Sequence, residues 1–319
     1  MTQFDVFNGD ADGVCALQQI RLAEAVESEL VTGIKRDIQL VKKVEAKAGD
    51  QILVLDVSMA KNIDALHSLL DVGCLVEYFD HHISGEIPEN KLLTAHINTS
   101  PDTCTSLLVN DYLEGEHALW AVCGAYGDNM NTSADILADT LGLGSEQTLQ
   151  LKQLGILINY NGYGATLDDL HFRPDDLYRA ISPYQSPFDF IEKEAVFTKL
   201  KSAYEQDMEL ASSLKAEQTT DTTAVFILPA EKWCRRVSGV LGNQLSNQFP
   251  ERAHALLTDT GENAYQVSVR APRINKTGAG ALCSQFETGG GREGAAGINH
   301  LPYADKVSFI EAFQSQYSK

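Results

Sequence analysis

The stretch DVFNGDADGVCAL, residues 5–17, decides the fold of this 319-residue chain. It begins as an apolar run typical of a buried strand and leads, after two glycines, into a helical pattern at residues 14–26. Between the two lie Asp10 and Asp12, one residue apart. Burial at the end of a strand costs both carboxylates solvation free energy, so their presence there needs a physical reason.

The alternation of short apolar runs and helical periodicity continues beyond this stretch. Further strands are predicted at residues 51–58, 74–82 and 92–100, with a helix at residues 60–70 between the first two. Short apolar strands separated by helices are typical of a parallel sheet that is covered on both faces. The sequence therefore predicts an α/β fold with an open, wound parallel sheet in its N-terminal part.

The length of the chain and a change of pattern predict two domains. The pattern becomes helical from residue 103 to residue 160, and a polar stretch at residues 199–220 precedes a new set of apolar runs. We expect an N-terminal domain at residues 1–198 and a connecting helix and linker at 199–220. Residues 221–319 are expected to form a smaller mixed α/β domain.

Composition limits the classes of protein to which the chain can belong. Its hydrophobic (44%) and charged (22%) fractions are those of an ordinary globular protein. The six cysteines form no C-x-x-C pair, which favours buried reduced thiols over a zinc knuckle or a disulfide framework. The sequence has no apolar run of membrane-helix length and no signal-like N-terminus, so we expect a cytoplasmic protein without a membrane partner.

The net charge of −19 argues against a long nucleic acid as partner. Proteins that follow long polymers of phosphates usually present a broad basic surface, which this chain lacks the composition to form. A substrate that carries phosphate must be bound locally, by metal ions or by a few arginines. The sequence therefore favours a short phosphate-bearing substrate.

Acidic or histidine-containing motifs follow several of the predicted elements. They are Asp10 with Asp12, Asp56, Asp80-His81-His82, and Asp128. The carboxyl ends of parallel strands open into one crevice, where three of these motifs would meet. A single aspartate in such a place is most often a helix N-cap. Several buried carboxylates together repel one another unless cations neutralise them, so the pattern predicts a metal site.

The ligand types narrow the choice of metal. Oxygen ligands with one or two imidazoles and no thiolate suit Mg²⁺ or Mn²⁺, and the histidine favours Mn²⁺, Co²⁺ or Fe²⁺. The carboxylates are too many for one such ion. We therefore expect two divalent cations about 3.5 to 4 Å apart with one bridging aspartate, an arrangement that clamps a phosphoryl group and activates a water molecule.

The order and spacing of these motifs resemble the DHH phosphoesterases, a family that includes RecJ exonuclease, the bacterial nanoRNases and cyclic-dinucleotide phosphodiesterases. The resemblance extends to Gly289-Gly290-Gly291 and Ala295-Ala296-Gly297 near the C-terminus, and so covers nearly the whole chain. It implies a phosphoric ester hydrolase whose catalytic domain is residues 1–198. Residues 221–319 would then bind the substrate across the cleft.

The resemblance also implies roles for the motif residues. The implied metal ligands are Asp10 on one ion, Asp56 bridging both ions, and Asp12, His81 and Asp128 on the other. His82 would lie beside the reacting phosphate, either as a hydrogen-bond donor or as a group that supports a metal ligand. Asp80 would orient a neighbouring histidine, with a cap at the end of its strand as the alternative.

Two residues of the first motif depart from the family pattern. Val6 stands where many members have a histidine, and Asn8 stands where RecJ-type members have a further aspartate. One metal ion has thereby lost a ligand. We expect the ion held by Asp10 and Asp56 to be the weaker of the two.

The glycine motif departs from the pattern at one position. Arg292 replaces the histidine that usually follows the three glycines. The glycines Gly289, Gly290 and Gly291 allow backbone N–H groups to approach a phosphate, and Arg292 can bind the same phosphate. Arg270 matches a strand arginine with which family members hold a substrate phosphate. A solvated strand arginine is the alternative for this residue.

These observations predict a metal-dependent phosphodiesterase that acts, through a water activated by two metal ions, on short oligonucleotides or small nucleotides. A cyclic-dinucleotide phosphodiesterase shares every motif. The losses at Val6 and Arg292 also leave open a catalytically weak protein that binds or senses nucleotides. A manganese pyrophosphatase fits less well because that group lacks the glycine motif, and a homodimer is compatible with the sequence.

Overall fold

Strands and helices alternate along the first hundred residues of the structure, a computed structural model that describes residues 1–318. Each apolar run predicted to be a strand forms one. The elements are β1 (Gln3–Phe7), α1 (Ala11–Ala23), β2 (Glu29–Val31), β3 (Gln51–Leu55), α2 (Met59–Val72), β4 (Leu75–Asp80) and β5 (Leu93–Ile97). Strand β2 has only three, partly exposed residues, which is too short for its pattern to predict it.

These strands form one parallel sheet in the order β2-β1-β3-β4-β5. Residues Gln3 to Phe7 of β1 pair with Gln51 to Leu55 of β3, and the same residues of β3 pair with Leu75 to Phe79 of β4. The chain passes from β1 to β2 on one side and then returns past β1 to β3 on the other side, so the direction of the connections reverses at β1. Ligands bind at such a reversal, beyond the carboxyl ends of the strands.

Both faces of the sheet are covered by helices. Phe4 and Val6 of β1 pack in one core cluster with Leu66 of α2. Asp5, between them, points to the opposite face and forms a buried ion pair with Arg21 of α1, with Arg21 Nε 2.8 Å from the carboxylate. A parallel sheet with helices on both faces is the wound α/β fold that the sequence predicts.

Helices follow the sheet in the first unit of the chain. Helix α4 packs against α1 and against α6, and carries Asp128 at its C-terminal end. The helices are α3 (Thr105–Tyr112), α4 (Ala118–Gly127), α5 (Asn131–Thr140), α6 (Ser145–Gly162), α7 (Pro174–Ile181), α8 (Pro187–Lys193) and α9 (Ala195–Ser212). The chain divides into two compact units, Met1–Ser202 and Ala203–Lys319, so the division falls within α9.

The second unit is built on a six-stranded sheet with the order β10-β11-β9-β8-β7-β6. Only β7 and β8 run parallel, so the sheet is mixed, as predicted. Phe309 and Phe313 of the last helix pack on Leu257 and Val267 in its core. The elements are β6 (Gln218–Thr219), β7 (Thr223–Leu228), α10 (Lys232–Gln248), β8 (Ala253–Asp259), β9 (Ala264–Arg270), α11 (Ala279–Cys283), β10 (Gly289–Gly291), β11 (Ala295–Pro302) and α12 (Lys306–Tyr317).

Residues 1–318 also form short 3₁₀ helices. The 3₁₀ helices lie at Leu40–Lys43, Leu167–Asp169 and Tyr303–Asp305. All six cysteines are buried thiols, as their spacing predicts. Within residues 1–318, none of the helices combines the length and the apolar character needed to cross a membrane.

Glycine-to-helix contacts bring α1, α4 and α6 close together. A Cβ at Gly155 of α6 would lie 2.1 Å from the carbonyl oxygen of Cys123 in α4. A Cβ at Gly127 of α4 would lie 2.2 Å from the Cβ of Ala11 in α1. Glycine at both positions therefore allows the close packing of α4, which carries Asp128 at its end, against α1 and α6.

We expect Gly155→Ala to lower the free energy of unfolding by about 1–3 kcal/mol, because the added methyl group must displace helix backbone rather than a flexible side chain. Gly144→Ala is the matched control, since the nearest atom to its Cβ would be 3.8 Å away. Denaturant titration of both variants measures the difference. Equal stability of the two would show that the helices can separate at no cost.

Candidate metal centre and glycine loop

Asp10 lies at the end of β1 and is the N-cap of α1. Its Oδ1 accepts the backbone N–H groups of Asp12, at 3.1 Å, and Gly13, at 3.2 Å. Its Oδ2 accepts a hydrogen bond from the ammonium of Lys35. Burial opposes ionisation, but the Lys35 charge lowers the pKa of the Asp10 carboxyl. The cap and the ion pair thus occupy one oxygen each.

Asp12 connects the beginning of α1 to the beginning of α3. Its Oδ1 accepts the N–H of Ser106 and its Oδ2 accepts the N–H of Thr105, both at 2.7 Å. The first N–H groups of a helix have no partner within the helix, so these bonds satisfy two of them. The Ser106 hydroxyl also donates to the Asp12 carbonyl, at 2.8 Å. These bonds fix the direction in which the carboxylate points.

Asp56 follows β3 directly and has a left-handed backbone, with φ of 57°. Aspartate and asparagine tolerate this conformation better than most residues do. Its Oδ1 accepts a hydrogen bond from the Thr105 hydroxyl at 3.3 Å. Burial raises the pKa of the Asp56 carboxyl well above its usual range, and the neighbouring carboxylates of Asp10 and Asp12 raise it further.

Asp80 ends β4 and positions both histidines that follow it. Its Oδ1 accepts the N–H of His81, at 2.9 Å, and lies 2.7 Å from His82 Nδ1. Its Oδ2 accepts the N–H of Met59 at the start of α2, at 3.4 Å. Asp80 therefore makes the contact expected of a residue that orients a histidine and also caps a helix. Burial opposes protonation of His82, but Asp80 raises its pKa.

His81 presents one ring nitrogen to the aspartates. Its Nδ1 lies 3.1 Å from the carbonyl oxygen of Thr103, which can only accept, so Nδ1 carries the proton. Its Nε2 lies 3.3 Å from Asp56 Oδ1, 3.8 Å from Asp12 Oδ2 and 4.0 Å from Asp128 Oδ2. A metal-binding imidazole typically has this arrangement, with the second nitrogen donating to a carbonyl.

The residues present fit a divalent ion with oxygen and imidazole ligands. Among residues 1–318, two groups have ligand atoms close enough to share an ion: Asp56, His81 and His82, and Asp12, His81 and Asp128. All but His82 place nearly buried side chains there. Burial and the neighbouring carboxylates raise the pKa of Asp56, and a cation bound here would relieve this repulsion.

Lys35 is a residue of this centre that the sequence analysis misses. Its Nζ donates to Asp10 Oδ2 and to Asn159 Oδ1, the latter at 3.1 Å, and lies 3.7 Å from Asp128 Oδ1. The surrounding sequence GIKRD, residues 33–37, carries no motif. The pairing of β2 beside β1 brings this loop toward the aspartates, and no pattern in the sequence predicts that pairing.

The three glycines near the C-terminus form β10, which pairs with β11. A Cβ at Gly289 would lie 1.8 Å from the carbonyl oxygen of Cys283, and one at Gly291 would lie 2.5 Å from the Cα of Ala296. Gly291 also has a φ of 141°. Nothing lies within 4 Å of a Cβ at Gly290. Packing therefore explains two of the three glycines without any ligand.

The two arginines assigned to phosphate binding occupy different settings. Arg270 is half-buried against α10, where its Nε donates to Asn243 Oδ1 at 2.7 Å and its Nη2 donates to the Gly239 carbonyl at 3.5 Å. It is thus held by the protein rather than solvated. Arg292 lies in the turn between β10 and β11, and its N–H donates to the Ala295 carbonyl at 2.9 Å. Their roles toward phosphate stay predictions.

Mn²⁺ is expected to raise the midpoint of thermal unfolding of the wild-type protein, because an ion that binds only the folded state stabilises it. The rise should be lost in His81→Ala, which removes the one imidazole that faces three carboxylates. His67→Ala, on the exposed side of α2, should respond like the wild type. Equal responses of the two variants to Mn²⁺ in a thermal scan would exclude His81 as a ligand.

Gly289→Ala is expected to destabilise the second unit, since its methyl group must displace the backbone at Cys283. Gly290→Ala should change the free energy of unfolding by less than about 0.5 kcal/mol, as is usual for substitutions without a new contact. Circular dichroism melts of both variants test the difference. A large loss of stability in Gly290→Ala would contradict the packing described above.

No family model matches the sequence, and no curated protein matches it. The structure, in contrast, is similar to solved structures over almost its whole length. Exonuclease RecJ bound to manganese has a TM-score of 0.60 at 17% identity, with 99% of this chain and 90% of that chain covered. PggH from Vibrio cholerae, described as a pGpG-specific phosphodiesterase, has a TM-score of 0.55 at 14% identity, with 99% and 98% covered.

RecJ from Thermus thermophilus, in complex with Mn²⁺, has a TM-score of 0.61 at 16% identity. The match covers 98% of this chain, which spans about half, 51%, of that RecJ chain. At such identities the likeness establishes the fold. The fold that the DHH-like motifs predict is thereby confirmed: the chain is folded like RecJ exonuclease and the PggH phosphodiesterase.

Proposed function

We propose that the protein is a metal-dependent phosphodiesterase that hydrolyses short oligonucleotides or small nucleotides. The observation that carries this proposal is the convergence of His81 Nε2 on the carboxylates of Asp12, Asp56 and Asp128. The group lies at the carboxyl ends of β1, β3 and β4, beside the reversal of strand order where ligands bind in such sheets. The fold is one that RecJ exonuclease and PggH also have.

The residues around this group can hold and orient a phosphate-bearing substrate. A divalent ion, when bound, supplies an activated water and neutralises charge on the phosphoryl oxygens. Asp12, Asp56, His81 and Asp128 would hold the ion. Mn²⁺ is our first choice, because the ligand set includes an imidazole and both RecJ structures contain manganese.

His82 has the geometry of a donor to the substrate. Asp80 occupies its Nδ1 at 2.7 Å, which leaves Nε2 to point away from Asp80. The side chain is 32% exposed, in contrast to the nearly buried His81. Because Asp80 raises the pKa of His82, the ring is better able to donate to a phosphoryl oxygen. We propose this role for His82 and a positioning role for Asp80.

A short substrate is supported by charge and by one structural neighbour. The net charge of −19 disfavours a long polyanion. PggH, of which the match covers 98%, is described as specific for pGpG. In the second unit, Gly290, Arg270 and Arg292 are the groups that we propose to bind a substrate phosphate, since Gly290 is the glycine that packing does not require.

A nucleotide-binding protein of little activity is the second candidate function. It is favoured by one observation, the ion pair that Lys35 makes with Asp10, which engages an oxygen that the resemblance assigns to a metal ion. A cyclic-dinucleotide phosphodiesterase would use the same site. Measurement of turnover distinguishes the binding function from the two enzymes. The preference for linear or cyclic dinucleotides distinguishes the two enzymes from each other.

Asp56→Asn is expected to reduce Mn²⁺-dependent hydrolysis of a linear dinucleotide by at least about 100-fold, which corresponds to about 2.7 kcal/mol of activation free energy. Asparagine is chosen because it tolerates the left-handed backbone at this position. Asp64→Asn, on the exposed side of α2, is the control and should keep full activity.

The same assay should include a cyclic dinucleotide, a longer oligonucleotide labelled at each end in turn, and pyrophosphate. Faster hydrolysis of the linear dinucleotide than of all three supports the proposal. Undiminished turnover by Asp56→Asn would contradict a catalytic metal at this site. Tight nucleotide binding without turnover in any metal would favour the binding function instead.

A further inference from the structure

Lys35 places a positive charge directly against the first aspartate of the metal centre. Its Nζ donates to Asp10 Oδ2, lies 3.1 Å from Asn159 Oδ1 and lies 3.7 Å from Asp128 Oδ1. The side chain is 22% exposed, and those of Asp10 and Asp128 are 3% and 7% exposed. The pair is therefore part of the buried centre and not a solvated contact on the surface.

The loop that carries Lys35 is fixed to the sheet from several directions. The Lys35 N–H donates to the Gly162 carbonyl at the end of α6, at 2.8 Å. The Asn8 amide donates to the Lys35 carbonyl at 3.4 Å, and the Lys35 ammonium lies 5.5 Å from the centre of the Tyr163 ring. These contacts fix both the backbone and the side chain of Lys35, and so hold its ammonium at Asp10.

Gly9 shows that the approach of this loop is built into the fold. A Cβ at Gly9 would lie only 2.1 Å from the carbonyl oxygen of Gly33, two residues before Lys35. Any side chain at Gly9 would therefore push the loop, and Lys35 with it, away from the end of β1. Gly9 of the first motif is therefore required for the position of Lys35 as well as for that of the motif aspartates.

A divalent ion and the Lys35 ammonium compete for the same oxygen of Asp10. Oxygen ligands bind Mg²⁺ at 2.0–2.1 Å, so an ion on Asp10 Oδ2 would come into contact with the ammonium that already donates to this atom. Two cations in contact repel strongly in a buried site. The other oxygen, Oδ1, accepts two N–H groups of α1.

The other residues of the first motif on this side carry no charge. Val6 is apolar and Asn8 is neutral, although Asn8 Oδ1 is buried without a hydrogen-bond partner among residues 1–318. Asp128 faces both sides of the centre, with Oδ1 toward Lys35 and Oδ2 toward His81. Among the described residues, neither group of side chains that can share an ion includes Asp10.

We propose that Lys35 takes the place of a second divalent ion, so that the protein binds a single divalent ion beside His81 Nε2 and none at Asp10. Lys35 is then a permanent cation that neutralises Asp10 and part of the charge on Asp128. This inference rests on the proposed function for the presence of a metal at the centre. It replaces the pair of ions that the sequence motifs lead us to expect.

The number of ions bound tests the inference without reference to activity. Full-length protein is freed of metal with a chelator and dialysed to equilibrium against Mn²⁺, and bound manganese is counted by atomic emission. We expect one Mn²⁺ per chain in the wild type and in Lys35→Arg, and two in Lys35→Ala, where Asp10 Oδ2 becomes available. The control is Lys43→Ala, which removes an exposed lysine paired with Asp37 of the same loop and should bind one.

Electron paramagnetic resonance gives a second readout of the same samples. The wild type should show the spectrum of an isolated Mn²⁺ ion, and Lys35→Ala should show the coupling of two ions that lie about 3.5 to 4 Å apart. If Lys35→Ala does not fold, Lys35→Met is used instead, because it retains most of the apolar stem of the side chain without its charge. The number of Mn²⁺ ions bound to the wild type tests the inference independently of these variants.

Each outcome has a defined meaning. Two ions on the wild type, one ion on a folded variant without the Lys35 charge, or no ion on any variant would each overturn the inference. The expected counts without hydrolysis of any phosphodiester would leave the inference standing and reject the proposed function. The expected counts with hydrolysis support both.

Discussion

Mutual repulsion among the buried carboxylates of Asp10, Asp12, Asp56 and Asp128 is the constraint on which the first unit of this protein depends. Parallel strands bring the ends of β1, β3 and β4 together, and the motifs concentrate negative charge at that edge. Several contacts offset this negative charge. Helix N-terminal N–H groups bind Asp12, an N-cap uses one oxygen of Asp10, and the Lys35 ammonium binds the other.

These contacts offset part of the negative charge, and the remaining negative charge lies around the His81 imidazole. The carboxylates of Asp12, Asp56 and Asp128 surround one imidazole nitrogen, whose tautomer is set by the Thr103 carbonyl. Burial and the neighbouring carboxylates raise the pKa of the Asp56 carboxyl. A cation bound among these carboxylates would offset their mutual repulsion.

The sequence predicted those parts of the structure that depend on local pattern. The apolar runs that form β1, β3, β4 and β5 are short and continuous. Each motif aspartate follows a strand or a helix, at the edge of the sheet where the carboxyl ends of parallel strands meet. Lys35 could not be found in this way, because its role depends on β2, three residues long, and on the close approach of Gly9 to Gly33. Such contacts between distant parts of the chain leave no periodic signal.

Asp12 illustrates how closely the chemistry and the architecture of this protein are joined. Active-site charges are commonly a burden on stability, and their removal often makes an enzyme more robust. Asp12 is different, because its two oxygens connect the first turn of α1 with the first turn of α3, which begins more than ninety residues later in the chain. Loss of this carboxylate would therefore loosen the packing of α1 against α3, whether or not a metal ion binds. The presence of Asp12 in a sequence is for this reason not by itself evidence of catalysis.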